Sequence, residues 1–293
     1  MPHSSATASQ WFQAARPHTW ANAFAPVVVG SGAAAFNDGF SWWRALLALV
    51  VSWALIIGVN YANDYSDGIR GTDEDRTGPV RLTGARLTEP YKVKRAAFLS
   101  FGVAGVAGVA LSLASSWWLI LVGAACIAAA WFYTGGKNPY GYRGLGEVAV
   151  FTFFGLVAVC GTEFTQSGAV SWVGLACAVA VGCMSSAVNL ANNLRDIPTD
   201  RAAGKITLAV QLGDANTRKV WLALATTPLL ISLGLTTVTW PAVLGLAAGP
   251  LLVNAAQPVV KQAQGKELIP VLGKTGRAML VWAVLTTLAL AFG

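Results

Sequence analysis

Long apolar runs broken by short polar connectors set the pattern of this chain. From Leu46 to Val59 the run LLALVVSWALIIGV holds a single serine, and the polar residues begin abruptly at Asn60. A helix needs about 20 such residues to cross the hydrocarbon of a bilayer. Windows of that kind fall near 20–36, 42–62, 95–114, 117–133, 146–162, 170–192, 219–236, 240–258 and 276–292. They are too long for strands and lack the alternation of a half-buried sheet. The pattern predicts an all-α membrane protein of nine transmembrane helices, a single domain spanning 1–293.

The connectors differ in charge. Those after the second, fourth, sixth and eighth spans, together with Arg16 ahead of the first, hold 19 of the 20 lysines and arginines; Arg44 alone falls on the other side. By the positive-inside rule the basic face is cytoplasmic, with the N-terminus in and the C-terminus out. Composition agrees, at 55% hydrophobic and 11% charged residues, where a soluble domain carries about a quarter charged. The leader MPHSSATASQ has no basic region ahead of an apolar segment, so no cleaved signal peptide is read there. The net charge of +7 marks a face beside anionic lipid and an anionic substrate, and calls for no nucleic-acid partner. Nothing in the sequence requires an obligate protein partner.

The candidate chemistry begins where the second span ends. The segment Asn60-Tyr61-Ala62-Asn63-Asp64-Tyr65-Ser66-Asp67 returns as Asn189-Leu190-Ala191-Asn192-Asn193-Leu194-Arg195-Asp196, and Thr72-Asp73 returns as Thr199-Asp200. Both copies close an apolar helix on the basic face, four spans apart. This predicts a parallel internal repeat with the motifs at 60–76 and 189–205. Acids at such a place call for solvation, pairing or a metal. Clusters of Asp and Asn oxygens suit a hard divalent cation such as Mg²⁺, shared with phosphate oxygens.

Smaller features carry less. Arg16-Pro17-His18-Thr19-Trp20 reads as a helix start with an interfacial anchor, and His18 has no ligand-spaced partner. Gly102, Gly105 and Gly108 read as a packing seam. The segment Tyr133-Thr134-Gly135-Gly136-Lys137 ends the fourth span with backbone amides and a mobile cation suited to phosphate. Glu147 opens the fifth span, where it complements a helix N-terminus. The four cysteines lie inside spans and read as small buried hydrophobes.

With both Asp motifs and Tyr133-x-x-x-Lys137 in place, nearly the whole chain resembles the UbiA superfamily of intramembrane prenyltransferases. The family's first pattern corresponds to Asn63-Asp64-x-x-Asp67, its second to Asn192, Asp196 and Asp200, and its tyrosine–lysine motif to Tyr133 and Lys137. The first motif carries two extra residues before Asp73, so Asp73 and Asp75 both stand as its last carboxylate. That longer form, with RPHTW, GLGE and GKITLAVQLG, resembles the branch that prenylates 1,4-dihydroxy-2-naphthoate for menaquinone.

The resemblance implies nine helices around a central cavity, a polyprenyl diphosphate donor, and a bacterial inner-membrane enzyme with its active site on the cytoplasmic side. It implies Mg²⁺ held by Asn63, Asp67, Asp73, Asn192, Asp196 and Asp200, with Asp64 joining them. Tyr133 and Lys137 would bind diphosphate, helped by Arg70, Arg195 and Lys205. Asp67, Asp196 and Lys137 are the expected catalytic residues. Arg16 and Lys274 are candidates for the acceptor carboxylate. Three other readings stay open at this point: a different aromatic acceptor, such as 4-hydroxybenzoate or homogentisate; a CDP-alcohol phosphotransferase, whose opening Asp64-x-x-Asp67-Gly68 imitates; and a cation-coupled transporter.

Overall fold

The computed structural model describes residues 6–71 and 80–293, and every regular element among them is helical. A short α1 (Ala8–Ala14) lies ahead of the first expected span. It starts at a capping box in which Thr7 and Gln10 bond each other's backbone amides, a local signal present in the sequence. A 3₁₀ turn, Pro17–Thr19, then leads into α2 (Ala21–Phe36). The long α3 (Trp42–Arg70) packs against α4 (Pro90–Ala114), followed by α5 (Leu119–Phe132). Next comes one continuous rod made of α6 (Gly146–Val150), a π-helical stretch Phe151–Cys160 and α7 (Gly161–Ser167). The second half holds α8 (Trp172–Arg195), α9 (Ile197–Ala202), α10 (Leu208–Leu235), α11 (Gly249–Val260, after a 3₁₀ lead-in) and α12 (Ile269–Phe292).

Among the described residues seven helical segments are long and apolar enough to cross a membrane. Two shorter apolar helices, Ala21–Phe36 and Leu119–Phe132, coincide with the first and fourth expected spans. α3 has 29 residues, roughly 44 Å at the helical rise, against a hydrocarbon core of about 30 Å. Its last turns, bearing Asn60 to Asp67, therefore project past the apolar layer. The helix stops at Gly71, whose φ of 75° is a left-handed conformation that a Cβ would penalise.

α8 is the central helix. Buried residues make up 78% of its apolar window, against 33% for α3 and α4. Cys177, Val181 and Met184 pack with α2, α12 and the π-helical stretch, while Leu190 and Leu194 pack with α10, α11 and α12. Small residues permit these close approaches. A Cβ added at Gly155 would lie 2.6 Å from the Cα of Gly182, and one at Gly32 would lie 2.8 Å from the Cα of Thr287. Gly102, Gly105 and Gly108 do not form the expected packing seam. A Cβ at Gly102 meets nothing, while those at Gly105 and Gly108 reach only Ile127 at 3.9 Å and Val51 at 3.8 Å. These three glycines leave space instead of closing it.

Trp42, Trp172 and Trp240 stand exposed at the starts of their helices, as an interfacial aromatic belt does. Arg44, the basic residue apart from the rest, donates to the carbonyls of Thr165 at 3.0 Å and Ala114 at 2.7 Å. It ties the start of α3 to the ends of two neighbours. All four cysteines are free.

Candidate active site

A cavity of about 470 Å³ opens between α2, α3, α4, α5, the π-helical stretch and α8. Its walls are apolar, with Val51, Gly105, Gly108, Ile127, Phe154 and Val157 among the lining residues. One end is polar, where Arg16, His18, Asn63, Arg81, Asn192 and Arg195 face it. A long apolar chain with an anionic head matches this division.

The first motif divides its labour. Asn60 donates to the carbonyl of Ala15 at 3.0 Å and to the hydroxyl of Thr19 at 3.1 Å, pinning the Pro17–Thr19 turn to α3. Asn63 lines the cavity, and its oxygen accepts from the Thr134 hydroxyl at 2.8 Å. Asp64 is fully buried, and both its oxygens accept backbone amides, Leu82 N at 2.7 Å and Thr83 N at 2.9 Å. It fastens the loop that carries Arg81; like Asp67, Asp196 and Asp200, it is not among the residues that line the cavity. Asp67 accepts from the Tyr142 hydroxyl at 2.7 Å and lies 3.7 Å from the Arg81 guanidinium. Asp73 and Asp75 lie outside the described residues.

The second motif is similar in plan. Asn189 and Asn193 donate to the buried Glu147 carboxylate at 3.1 and 2.7 Å, joining α8 to α6. Asn192 and Asp196 both accept from Arg195, which meets Asp196 through two bonds of 2.6 and 2.8 Å. Lys205 lies 3.5 Å from Asp200. Tyr142 links the two motifs. Its hydroxyl reaches Asp67, while Arg70 and Lys205 sit 5.4 and 5.3 Å from its ring centroid.

Tyr133 and Lys137, neighbours in one motif, face different spaces. Tyr133 lines the cavity, whereas Lys137 is exposed beside a smaller cleft with Tyr142, Arg143 and Gly204. Arg70 does not line the cavity; it donates to the carbonyls of Thr134 and Gly136 and so holds the loop between Tyr133 and Lys137. Lys274 bonds the side chain of Asn254 at 2.7 Å, away from the cavity. Tyr140, also at the cavity, has its hydroxyl pushed up to about 12 by burial and then by Cys126. It remains a neutral donor, to the carbonyl of Ala129 at 2.8 Å.

Arg81 and Tyr142 were not singled out from the sequence as site residues. Arg81 lies in an aperiodic loop, where its basic charge alone separated it from nothing. Tyr142 sits in NPYGYRG, a run of turn-forming residues whose position beside the motifs was the missing information.

A model of the UbiA prenyltransferase family matches residues 23–269. The chain belongs to the UbiA prenyltransferase family. The phosphotransferase and transporter readings are thereby set aside. A Mycobacterium tuberculosis protein named 1,4-dihydroxy-2-naphthoate octaprenyltransferase is 58% identical over 98% of this chain and 99% of its own length. The Escherichia coli protein of the same name is 34% identical over 96% and 94%. A UbiA homologue from Aeropyrum pernix superposes with a TM-score of 0.71 at 14% identity, covering 90% of this chain and 96% of that one. An Archaeoglobus fulgidus homologue, described as bound to GPP and Mg²⁺, gives 0.61 at 12% identity over 94% and 99%. At such identities the two structures speak for the shared UbiA fold.

The donor chemistry of this UbiA site fits a hard cation. Asn63, Asp67, Asn192, Asp196 and Asp200 offer oxygen ligands, and their partners among the described residues include hydroxyls and cations: Thr134, Tyr142, Arg81, Arg195 and Lys205. A divalent ion can share or replace such partners. No group of three or more acidic, histidine or cysteine side chains poised for a metal occurs among the described residues.

Proposed function

We propose that this chain transfers a polyprenyl group from polyprenyl diphosphate to 1,4-dihydroxy-2-naphthoate, releasing carbon dioxide and diphosphate and giving demethylmenaquinol for menaquinone synthesis. The observation that carries the reading is the 58% identity, over nearly both full lengths, to proteins named for that reaction. The cavity supports it, with an apolar wall for the prenyl tail and a basic end for two anions.

Asn63, Asp67, Asp73, Asn192, Asp196 and Asp200 would hold Mg²⁺, which when bound would supply Lewis-acid neutralisation of the diphosphate charge. Arg81 and Tyr133 bind the diphosphate end of the cavity, Tyr142 orients Asp67, and Lys137, exposed beside the separate cleft, is not assigned to that grip. Asp64 is assigned to the Arg81 loop. The apolar cavity excludes water from the allylic cation left by ionisation. The acceptor ring supplies the electron pair for the new C–C bond at the carbon bearing the carboxylate. That carboxylate leaves as carbon dioxide and returns its bonding pair to the ring, so no external base is needed for the net reaction.

For the membrane arrangement we propose nine spans, the seven long helical segments and the two shorter ones. The N-terminus and both motifs lie on the cytoplasmic side of a bacterial inner membrane, the C-terminus lies outside, and the halves repeat in parallel within one domain. α3 and α8 support the repeat, since each carries the first part of its motif, Asn60–Asp67 and Asn189–Arg195, on its last turns. The test of function is carboxyl-labelled dihydroxynaphthoate. One labelled carbon dioxide is expected per prenyl transferred. A prenylated product that keeps the label, or turnover of 4-hydroxybenzoate and none of the naphthoate, overturns the reading.

A further inference from the structure

The turn ahead of α2 is built to present two side chains to the cavity. Arg16 holds φ at 53°, a left-handed conformation that a non-glycine residue adopts at a cost. The surrounding bonds enforce it. Asn60 grips the carbonyl of Ala15 and the hydroxyl of Thr19, Thr19 donates to the carbonyl of Arg16 at 2.8 Å, and the Trp20 indole donates to Ala15 at 3.0 Å. Arg16 and His18 emerge from this frame at the polar end of the cavity.

We propose that His18 is an acceptor-recognition residue: its imidazole accepts a hydrogen bond from the ring hydroxyl next to the acceptor's carboxylate, while Arg16 and Arg195 hold that carboxylate. The inference rests on the hydroxynaphthoate reading above and adds to it the group that reads the hydroxyl.

Three observations carry it. Thr19, Trp20 and Asn60 around the turn are all hydrogen-bonded, yet neither ring nitrogen of His18 has a partner among the described residues. Its ring is open to the cavity, where a ligand supplies the missing bond. Next, the imidazole is neutral. Desolvation by the surrounding protein, then the charges of Arg16 and Arg195, lower its pKa to about 4. A neutral imidazole keeps one accepting nitrogen, whereas a protonated one can only donate. Last, the spacing suits the ligand. The carboxylate and the adjacent hydroxyl occupy one edge of the acceptor ring, and Arg16 and His18 stand two residues apart on one turn. Arg195 spends Nε and Nη2 on Asp196 and Asn192 and faces the same cavity, with no bond from Nη1 among the described residues.

A site that hydrogen-bonds a ligand hydroxyl discriminates against the analogue that lacks it. The test pairs 1,4-dihydroxy-2-naphthoate with 4-hydroxy-2-naphthoate, which keeps the carboxylate but lacks the neighbouring hydroxyl. Binding of each is measured on reconstituted full-length protein, wild type and the variants His18→Phe and His18→Asn. The wild type is expected to prefer the dihydroxy compound by about tenfold, one hydrogen bond's worth. His18→Phe should bring that ratio close to one, and His18→Asn, whose amide oxygen can accept, should restore part of it. The KM for polyprenyl diphosphate should not change in either variant. An unchanged ratio in His18→Phe overturns the proposal, as does a rise in the diphosphate KM in both variants, which would assign His18 to the donor or to the fold. A wild type that neither binds nor prenylates the dihydroxy compound would instead refute the proposed acceptor itself.

Discussion

Asp64 offers the sharpest separation between a ligand of metal and an anchor of structure. Both its oxygens accept backbone amides, from Leu82 at 2.7 Å and Thr83 at 2.9 Å, and the side chain is fully buried. Replacing it by Asn keeps the shape but turns one acceptor into a donor. One hydrogen bond to a charged group is lost, about 1.5–3 kcal/mol, and a buried N–H then faces an NH₂, costing about 1–3 kcal/mol more. The loop is thus loosened by roughly 3–5 kcal/mol, a shift of about 150- to 4000-fold in its opening equilibrium. Hydrogen exchange at Leu82 and Thr83 reads this directly, and their protection should fall by that factor. Because Arg81 precedes Leu82 and faces the cavity, the KM for polyprenyl diphosphate should rise as well, while the Mg²⁺ concentration for half-maximal activity stays near that of the wild type. Unchanged exchange at these amides together with a raised Mg²⁺ requirement would refute the anchoring argument and return Asp64 to the metal.

Other expectations follow from the same geometry. Asp67→Asn and Asp196→Asn should each abolish turnover with the protein still membrane-inserted, and near-normal activity of either at saturating Mg²⁺ would separate the two motifs. Tyr142→Phe removes a hydroxyl bonded to Asp67 at 2.7 Å, so kcat/KM should fall about 10- to 100-fold, the range for a hydrogen bond to a charged group, with membrane insertion unaltered. Gly108→Leu would enter the cavity past Val51, whose nearest atom lies 3.8 Å from the added Cβ; product analysis should show a preference for shorter prenyl donors. In a background without native cysteines, one placed near Arg86 should resist an impermeant thiol reagent in intact cells and one near Gly168 should label.

Where the physics is periodic or local, the sequence was a good guide. The apolar windows locate the helices because backbone in hydrocarbon must bond internally. The repeat locates the motifs because both end such helices. The role of Asp64 was hidden because its partners come from a loop 18 and 19 residues away, and no periodicity predicts that return. Tyr133 and Lys137 looked like one phosphate grip, yet the chain turns between them, with Gly136 at φ 76°, and parts them. The glycines at 102, 105 and 108 share a spacing with packing seams, but spacing cannot say whether a helix or a void lies opposite. α1 is legible through its capping box, Thr7 and Gln10, a local signal that span-length hydrophobicity does not carry.

The left-handed Arg16 bears on how this enzyme responds to selection. Glycine at that position would relieve backbone strain of roughly 1–2 kcal/mol and would also remove a cation from the cavity. A laboratory screen that rewards only heat resistance or expression is therefore expected to drift toward glycine at position 16 and enrich well-behaved, inactive protein. A screen that rewards growth dependent on the quinol the enzyme makes should keep the arginine. Deep sequencing of one library under both regimes would show position 16 moving in opposite directions, the mark of a residue held against its own backbone preference by the ligand it meets.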